Sequence, residues 1–241
     1  MLSTVCDERQ NRSPIVQPGY RKGQRPANYG LTFPVEPLTR AEIERLLKHL
    51  GRGPCGDRNR ALVVLMWRSG LRIAEALALQ PKDIDREAGT VTVLRGKGGR
   101  RRQVAIDAYA LAMLDRWLTV RAELGINGRH PVFCCVDIRT RGKKMYSSYV
   151  RDMLKHRGEQ AGIGGGNFAD GSHWGKRVHP HALRHTMAFE LLTEGESIGV
   201  IRDQLGHSSL STTLRYCDHL APMAAIRAMH ARPLPELHDE P

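Results

Sequence analysis

Three stretches of this sequence place basic and hydrogen-bonding side chains where a helix would ordinarily present apolar ones. In Gly70-Leu71-Arg72-Ile73-Ala74-Glu75-Ala76-Leu77, Arg72 and Glu75 are three residues apart and share a helix face, while Leu71, Ile73, Ala74 and Leu77 supply packing. In His179-Pro180-His181-Ala182-Leu183-Arg184-His185, His181 and Arg184 repeat that spacing just inside a helix start that follows a proline. In Leu205-Gly206-His207 a histidine follows a glycine, and Tyr216 comes nine residues later at the end of Ser211-Thr212-Thr213-Leu214-Arg215-Tyr216. Forked guanidiniums bind oxyanions, imidazoles move protons, and a phenol becomes a nucleophile once it has a proton acceptor. Each fragment alone also has a plainer reading: Arg72 and Glu75 as a solvated ion pair, His185 as a core or capping histidine, Tyr216 as packing. His181 and His185 have the i, i+4 spacing of two metal ligands, but no nearby acid or cysteine completes an HExxH or CxxC pattern, so no metal is expected.

The elements that must position these residues are read from periodicity. Thr39 with Glu42 forms a capping box before Ile43, Leu46, Leu47 and Leu50. Asp57 reads as the start of a second helix, whose apolar run Ala61 to Trp67 has no polar face and is therefore expected to be buried on all sides, with a stop at Ser69-Gly70. A third helix is expected from near Leu71 to just before Pro81. Between Gly89 and Ile106 the period changes to two, with Val91 and Val93 on one strand and Val104 and Ile106 on the other, around a Gly96-Lys97-Gly98-Gly99 turn. This predicts a β-hairpin with Lys97 at its tip. Asp107 caps a long helix carrying Leu111, Leu114, Leu118 and Val120; residues 131–136 read as a short strand or buried loop; residues 146–160 read as a helix after the basic segment Arg139, Arg141, Lys143 and Lys144. A glycine-rich connection over 162–175 leads into short helices with stops at Gly195 and Gly206. The expected fold class is mainly α with a small antiparallel β-hairpin, an α+β arrangement.

Composition narrows the partner. The chain has 241 residues, 41% hydrophobic and 26% charged, enough for a normal core. Its 37 Lys and Arg against 25 Asp and Glu give a net charge of +12, which favours a polyanion. Aromatic residues make up only 5%, too few for the stacking platforms of single-strand binders, so the charge is expected to follow a duplex backbone. The five cysteines, Cys6, Cys55, Cys134, Cys135 and Cys217, are odd in number and form no CxxC pair, and read as reduced thiols. No run of about 18 uncharged apolar residues exists and the start MLSTVCDERQNR lacks the apolar segment of a signal peptide, so a cytoplasmic protein without a membrane partner is expected. Residues 1–37, with Pro14, Pro18, Pro26 and Pro34 among Arg9, Arg12, Arg21, Lys22 and Arg25, read as a flexible basic arm.

Taken together, GLRIAEAL, the lysine in LRGKGGRRRQV, HPHALRHTMA and LGHSSLSTTLRY closely resemble the tyrosine recombinase (phage integrase) family, from about Pro37 to His219. The resemblance implies that family's catalytic-domain fold over 38–219 and DNA strand exchange through a covalent 3′-phosphotyrosyl intermediate, with no cofactor. It implies Tyr216 as nucleophile, Arg72 and Arg184 on the phosphate oxygens, His181 as proton acceptor, His207 hydrogen-bonding the phosphate, Lys97 protonating the leaving 5′-oxygen, and Glu75 orienting Arg72. Lys143 or Lys144 compete with Lys97 for the acid role. Arg95, Arg100, Arg101, Arg102, Lys143 and Lys144 are expected to contact DNA phosphates. The layout resembles short members that consist of the catalytic domain alone, with the basic arm lying along phosphates in place of a clamping domain. Double-stranded DNA is the implied partner, bound by a homotetramer on paired sites, with residues 220–241 as a C-terminal helix and tail docking on a neighbouring protomer and with accessory DNA-bending proteins. Two other readings stand beside this one. A type IB topoisomerase uses similar Arg, Lys, His and Tyr chemistry and would relax supercoils without strand exchange, and a non-catalytic DNA-binding protein would cleave nothing.

Overall fold

Thr39 closes the N-terminus of helix α1 (Arg40–Lys48) with a complete capping box: its hydroxyl accepts from the Glu42 N–H at 3.2 Å, and the Glu42 carboxylate accepts from the Thr39 N–H at 2.7 Å. Ile43 and Leu46 then point inward at full burial. The computed structural model describes residues 37–94, 101–164 and 176–207, together with Thr213, Ile226, Met229 and His230. These belong to one unit, Val35–Pro241. The basic arm, the Gly96 to Gly99 turn, most of the glycine-rich connection and nearly all of the C-terminal segment lie outside the described residues.

Helix α2 (Gly53–Ser69) is the centre of the core, with Leu62, Val63, Val64, Leu65 and Met66 all completely buried, as its unbroken apolar run requires. It begins before Asp57, contrary to expectation, because Pro54 sits in the first turn where its fixed φ and missing N–H cost nothing. Asp57 is instead inside the helix, paired with Arg60 at 2.9 Å and Arg116 at 3.3 Å. Gly70 ends the helix in the left-handed region at φ 65°, and a Cβ there would meet Met187 Cε at 2.0 Å. Helix α3 (Ile73–Ala78) follows directly, starting two residues later than the expected Leu71.

A single 3₁₀ turn (Pro81–Asp83) leads to an antiparallel sheet of β1 (Ile84–Asp85), β2 (Thr90–Val93) and β3 (Arg102–Ala105) in that order. The predicted hairpin is β2 and β3, with Val91 opposite Val104 and Val93 opposite Arg102. Strand β1 adds an edge that the period-two pattern did not reveal, since two residues are too few to show alternation.

Asp107 caps α4 (Ala108–Glu123) by accepting from the Ala110 N–H at 2.8 Å. The buried face of α4 is Ala110, Leu114, Trp117 and Arg121, while Leu111, Leu118 and Val120 are only partly buried. The polar handles decide this: Trp117 Nε1 donates to the Val132 carbonyl at 2.8 Å, and Arg121 donates to the carbonyls of Ile126, Asn127 and His130. Residues 131–136 form a buried loop rather than a strand, with one isolated bridge from Cys134 to Lys144. Helices α5 (Ser147–Gln160), α6 (Pro180–Thr193) and α7 (Ile198–Leu205) complete the described chain. Helix α2 packs against α4 on one side and α6 on another, and Met187, Ala188, Phe189, Ile201 and Leu205 form a smaller cluster between α6 and α7. The architecture is the expected one, mainly helical with a small antiparallel sheet. No helix among the described residues is long and apolar enough to cross a membrane.

Candidate active site

Arg72 stands at the N-terminus of α3, and Glu75 reaches back from the first turn to hold it twice. The Glu75 carboxylate accepts from the Arg72 backbone N–H at 2.9 Å and from Arg72 Nη1 at 2.9 Å. This pair is not the solvated one that spacing alone suggests, because the Glu75 side chain is only 4% exposed. Arg102 enters from β3 and lays its fork on the same carboxylate, Nη1 and Nη2 each at 2.9 Å. Burial works to raise the Glu75 pKa, but the Arg102 hydrogen bonds, the Arg72 N–H, the Arg102 charge and the Arg72 side-chain hydrogen bond outweigh it and hold the carboxyl below its ordinary value. Nε and Nη2 of Arg72 make no hydrogen bond among the described residues, and the side chain is 32% exposed. Arg102, expected along the hairpin edge to meet phosphates, has its fork turned inward and bonded to Glu75.

Arg184 comes from the middle of α6 and is 1% exposed. It donates to the Gly70 carbonyl, to the Leu205 carbonyl at 2.6 Å and to His207 Nε2 at 3.1 Å. A guanidinium only donates, so Nε2 of His207 accepts, and Nδ1 carries the proton toward Thr213 Oγ1 at 2.9 Å. Thr213 is fully buried. Burial, then Arg184, Arg72, His181 and Arg102, push the His207 pKa down to about 4.

His181 is one turn before Arg184. Its ring is open to solvent at the cleft yet enclosed electrically: desolvation on its inner side, then Arg184, His179 and Arg72, lower its pKa to about 4. His185 is buried and packs edge-on against it, ring centroids 4.3 Å apart. His179 serves as the N-cap of α6, its Nδ1 accepting from the Ala182 N–H at 3.2 Å. Arg72, His181 and Arg184 line a cleft of about 680 Å³, whose far wall carries Arg151 and Lys155 of α5 with Arg177. A depression of about 540 Å³ between Arg86 and α4 contains none of these groups.

Four predicted residues, Arg95, Lys97, Arg100 and Tyr216, lie outside the described residues. Arg101, Lys143 and Lys144 are exposed. The last two follow a turn that ends at Gly142 and pair back on the preceding segment, the Lys143 carbonyl accepting from the Cys135 N–H at 2.9 Å and Lys144 bridging Cys134. No group of three His, Cys, Asp or Glu residues suited to a metal ion is found among the described residues. Reasoning from spacing did not find the Arg102 fork, the Thr213 partner or the Arg151 and Lys155 wall. Strand parity carries the first, and the i, i+4 spacing on α5 carries the third.

These features define a class, and residues 36–222 match the phage integrase family; the chain belongs to that family. It is 34% identical over 215 residues to tyrosine recombinase XerD of Mycobacterium leprae, covering 86% of this chain and 63% of that protein. It is 35% identical over 179 residues to tyrosine recombinase XerA of Thermococcus kodakarensis, covering 74% of this chain and 56% of that one. The chain thus spans less than two thirds of the length of these relatives. Its fold matches the crystal structure of XerA recombinase with a TM-score of 0.64 at 24% identity, over 91% of this chain and 70% of that one. It also matches XerH site-specific recombinase bound to palindromic difH substrate in a post-cleavage complex, with a TM-score of 0.62 at 25% identity, over 81% of this chain and 53% of that one.

Proposed function

We propose that this protein is a site-specific recombinase that cuts and rejoins duplex DNA through a 3′-phosphotyrosyl intermediate. The observation that carries the reading is the convergence of Arg72, Arg184, His181 and His207 from three separate elements on one site, with each arginine already fixed by its own anchors. Attack by a phenol on a phosphodiester gathers negative charge on the non-bridging oxygens. Without a metal ion that charge needs permanently protonated forked donors, the role given to Arg72 and Arg184.

Tyr216 is the nucleophile in this scheme: its oxygen bonds to phosphorus as the bond to the 5′-oxygen breaks. Its proton passes to His181, which is neutral at pH 7 and therefore able to accept it. An entering phosphodiester brings a negative charge that opposes the field of the arginines and moves the imidazole pKa back toward its ordinary value. For His207 to hydrogen-bond the phosphate, its Nε2 exchanges the Arg184 bond for a proton when the phosphate takes that guanidinium, and Lys97 gives the leaving oxygen its proton. The phosphotyrosine keeps the energy of the broken diester, so a second 5′-hydroxyl reverses the step without ATP. Exchange between two duplexes requires one nucleophile per strand, hence a homotetramer on paired sites. The exposure of Ile226 (56%) and Met229 (61%) supports an apolar surface for a neighbouring copy.

The test is a duplex nicked beside the cleavage position, so that the freed fragment diffuses away. Wild-type protein should accumulate a covalent protein–DNA adduct and Tyr216→Phe none. No adduct from wild type on any related recombination site would overturn the reading, as would an adduct that persists in Tyr216→Phe.

A further inference from the structure

Strand parity separates the arginines of the hairpin's return strand. Arg101 and Gln103 are exposed and Val104 is buried, so Arg102, two residues before Val104, turns toward the interior. There it meets Glu75 fork to fork, Nη1 on Oε1 and Nη2 on Oε2, both at 2.9 Å, with 16% of its own side chain exposed. The other two hydrogen bonds of that carboxylate come from Arg72. All the acceptor positions of a carboxylate are then filled, half by each arginine. The stem of Arg102 runs on beneath the turn that precedes His207: a Cβ on Gly206 would stand 2.3 Å from Arg102 Nε and 2.8 Å from its Cδ. The seam is closed by Gln204 of α7, which donates to the Ala105 carbonyl at 2.8 Å and accepts from the Ala105 N–H at 3.3 Å. One side chain of β3 therefore touches both the anchor of Arg72 and the turn that carries His207.

Resting on the recombinase reading, we propose that Arg102 is a positioning residue: its fork holds the Glu75 carboxylate in register under Arg72, and its stem sets the Gly206 turn that presents His207. The spacing between the phosphate-facing groups of α3 and of the segment after α7 is then gauged by this one guanidinium. A DNA phosphate would have to compete with Glu75 for the same fork. Lysine would keep the charge but not the two parallel bonds. Loss of Arg102 leaves Arg72 as the sole cationic partner of a buried carboxylate and draws it toward Glu75, away from the cleft.

The experiment compares Arg102→Gln, Arg102→Lys, Glu75→Gln and the Glu75→Gln/Arg102→Gln double variant in single-turnover cleavage of the nicked duplex at saturating protein, across a pH series. Arg102→Gln should slow cleavage by about 10- to 100-fold, with Arg102→Lys recovering only part of it. Its rate should fall off at a higher pH on the acid side than wild type, because Glu75 would face only Arg72. The double variant should be no slower than Glu75→Gln alone, since glutamine keeps the stem as far as Cδ and the fork that it lacks acts through that carboxylate. The salt slope of duplex binding should match wild type. An unchanged rate and pH profile, an additive double variant, or a slope reduced by about one, the signature of a phosphate contact, each overturns the proposal. A carbon-13 carboxyl titration of Glu75 in DNA-free protein separates this from the recombinase reading, because it needs no cleavage. The midpoint should rise in Arg102→Gln, and an unmoved midpoint overturns the proposal. If Arg102→Gln does not fold, Arg102→Lys and the double variant carry the same comparisons.

Discussion

Gly206→Ala tests the seam between β3 and α7 through stability alone. Gly206 lies at φ 63°, ψ 46°, where an alanine costs about 1–2 kcal/mol from Cβ crowding against its own backbone. That strain is shared by Gly195, at φ 87° with nothing within 4 Å of its would-be Cβ, so Gly195→Ala measures it alone. At Gly206 the added carbon also falls 2.3 Å from Arg102 Nε. A long side chain would ordinarily swing aside at little cost, but this one is pinned to Glu75 at both Nη atoms. Moving it sacrifices at least one charge-assisted hydrogen bond, about 1.5–3 kcal/mol. Urea denaturation should therefore show Gly206→Ala destabilising by roughly 3–4 kcal/mol, against about 1–2 for Gly195→Ala. In a Glu75→Gln/Arg102→Ala background, where the obstacle and its charge partner are both gone, Gly206→Ala should drop to the Gly195 value. An equal cost in both backgrounds, or a Gly206→Ala cost no larger than that of Gly195→Ala, would refute the packing argument.

Two further expectations concern acid and salt. His181 and His207 have pKa values lowered from 6.5 to about 4, so between those values the unfolded chain binds protons that the folded one refuses, and stability rises with pH across that window. With both rings partly open to solvent the effect is on the order of 1 kcal/mol, and Glu75, lowered from 4.5, adds a loss at still lower pH. A urea midpoint that stays flat from pH 4 to pH 6.5, or that does not flatten in a His181→Gln/His207→Gln variant, would contradict this. Lys143→Gln/Lys144→Gln should reduce the slope of log affinity for duplex DNA against log salt by about 1–2, and an unchanged slope would remove these residues from the phosphate contacts.

Much of this site was legible because its residues obey local rules. Thr39, Asp107 and the glycines at 70, 195 and 206 declare where helices start and stop, and the period-two run over 91–106 declares a hairpin. The exceptions have physical causes. Asp57 looked like a cap, but Pro54 is the stronger N-terminal residue and took the helix earlier. The stripe on α4 rotated toward Trp117 and Arg121 because irregular backbone beyond the helix offered them carbonyls, a non-local fact that periodicity does not contain. Glu75 and Arg72 looked like a surface pair since i, i+3 spacing says nothing about a third residue arriving from a strand 27 positions away. For Arg102 the information was present: the same alternation that turned Val104 inward should have turned Arg102 inward as well, and treating residues 100–102 as one basic run ignored it.

The glycine stops also bear on why Arg184 is where it is. The last turn of a helix leaves carbonyls without intrahelical donors and concentrates the negative end of the helix dipole. Two such ends face Arg184: the Gly70 carbonyl closing α2 and the Leu205 carbonyl closing α7. Arg58 and Arg121, also buried, spend their forks on carbonyls and side chains within the core and loops. Arg184 differs because it also lines the cleft, so anchoring the side chain fixes its charge in the cleft wall. A left-handed glycine at each end turns the chain away at once, which leaves room for the guanidinium between them. Folding thus fixes a desolvated cation in advance, and under the proposed function a phosphate entering the cleft would meet a charge that need not reorganise to receive it.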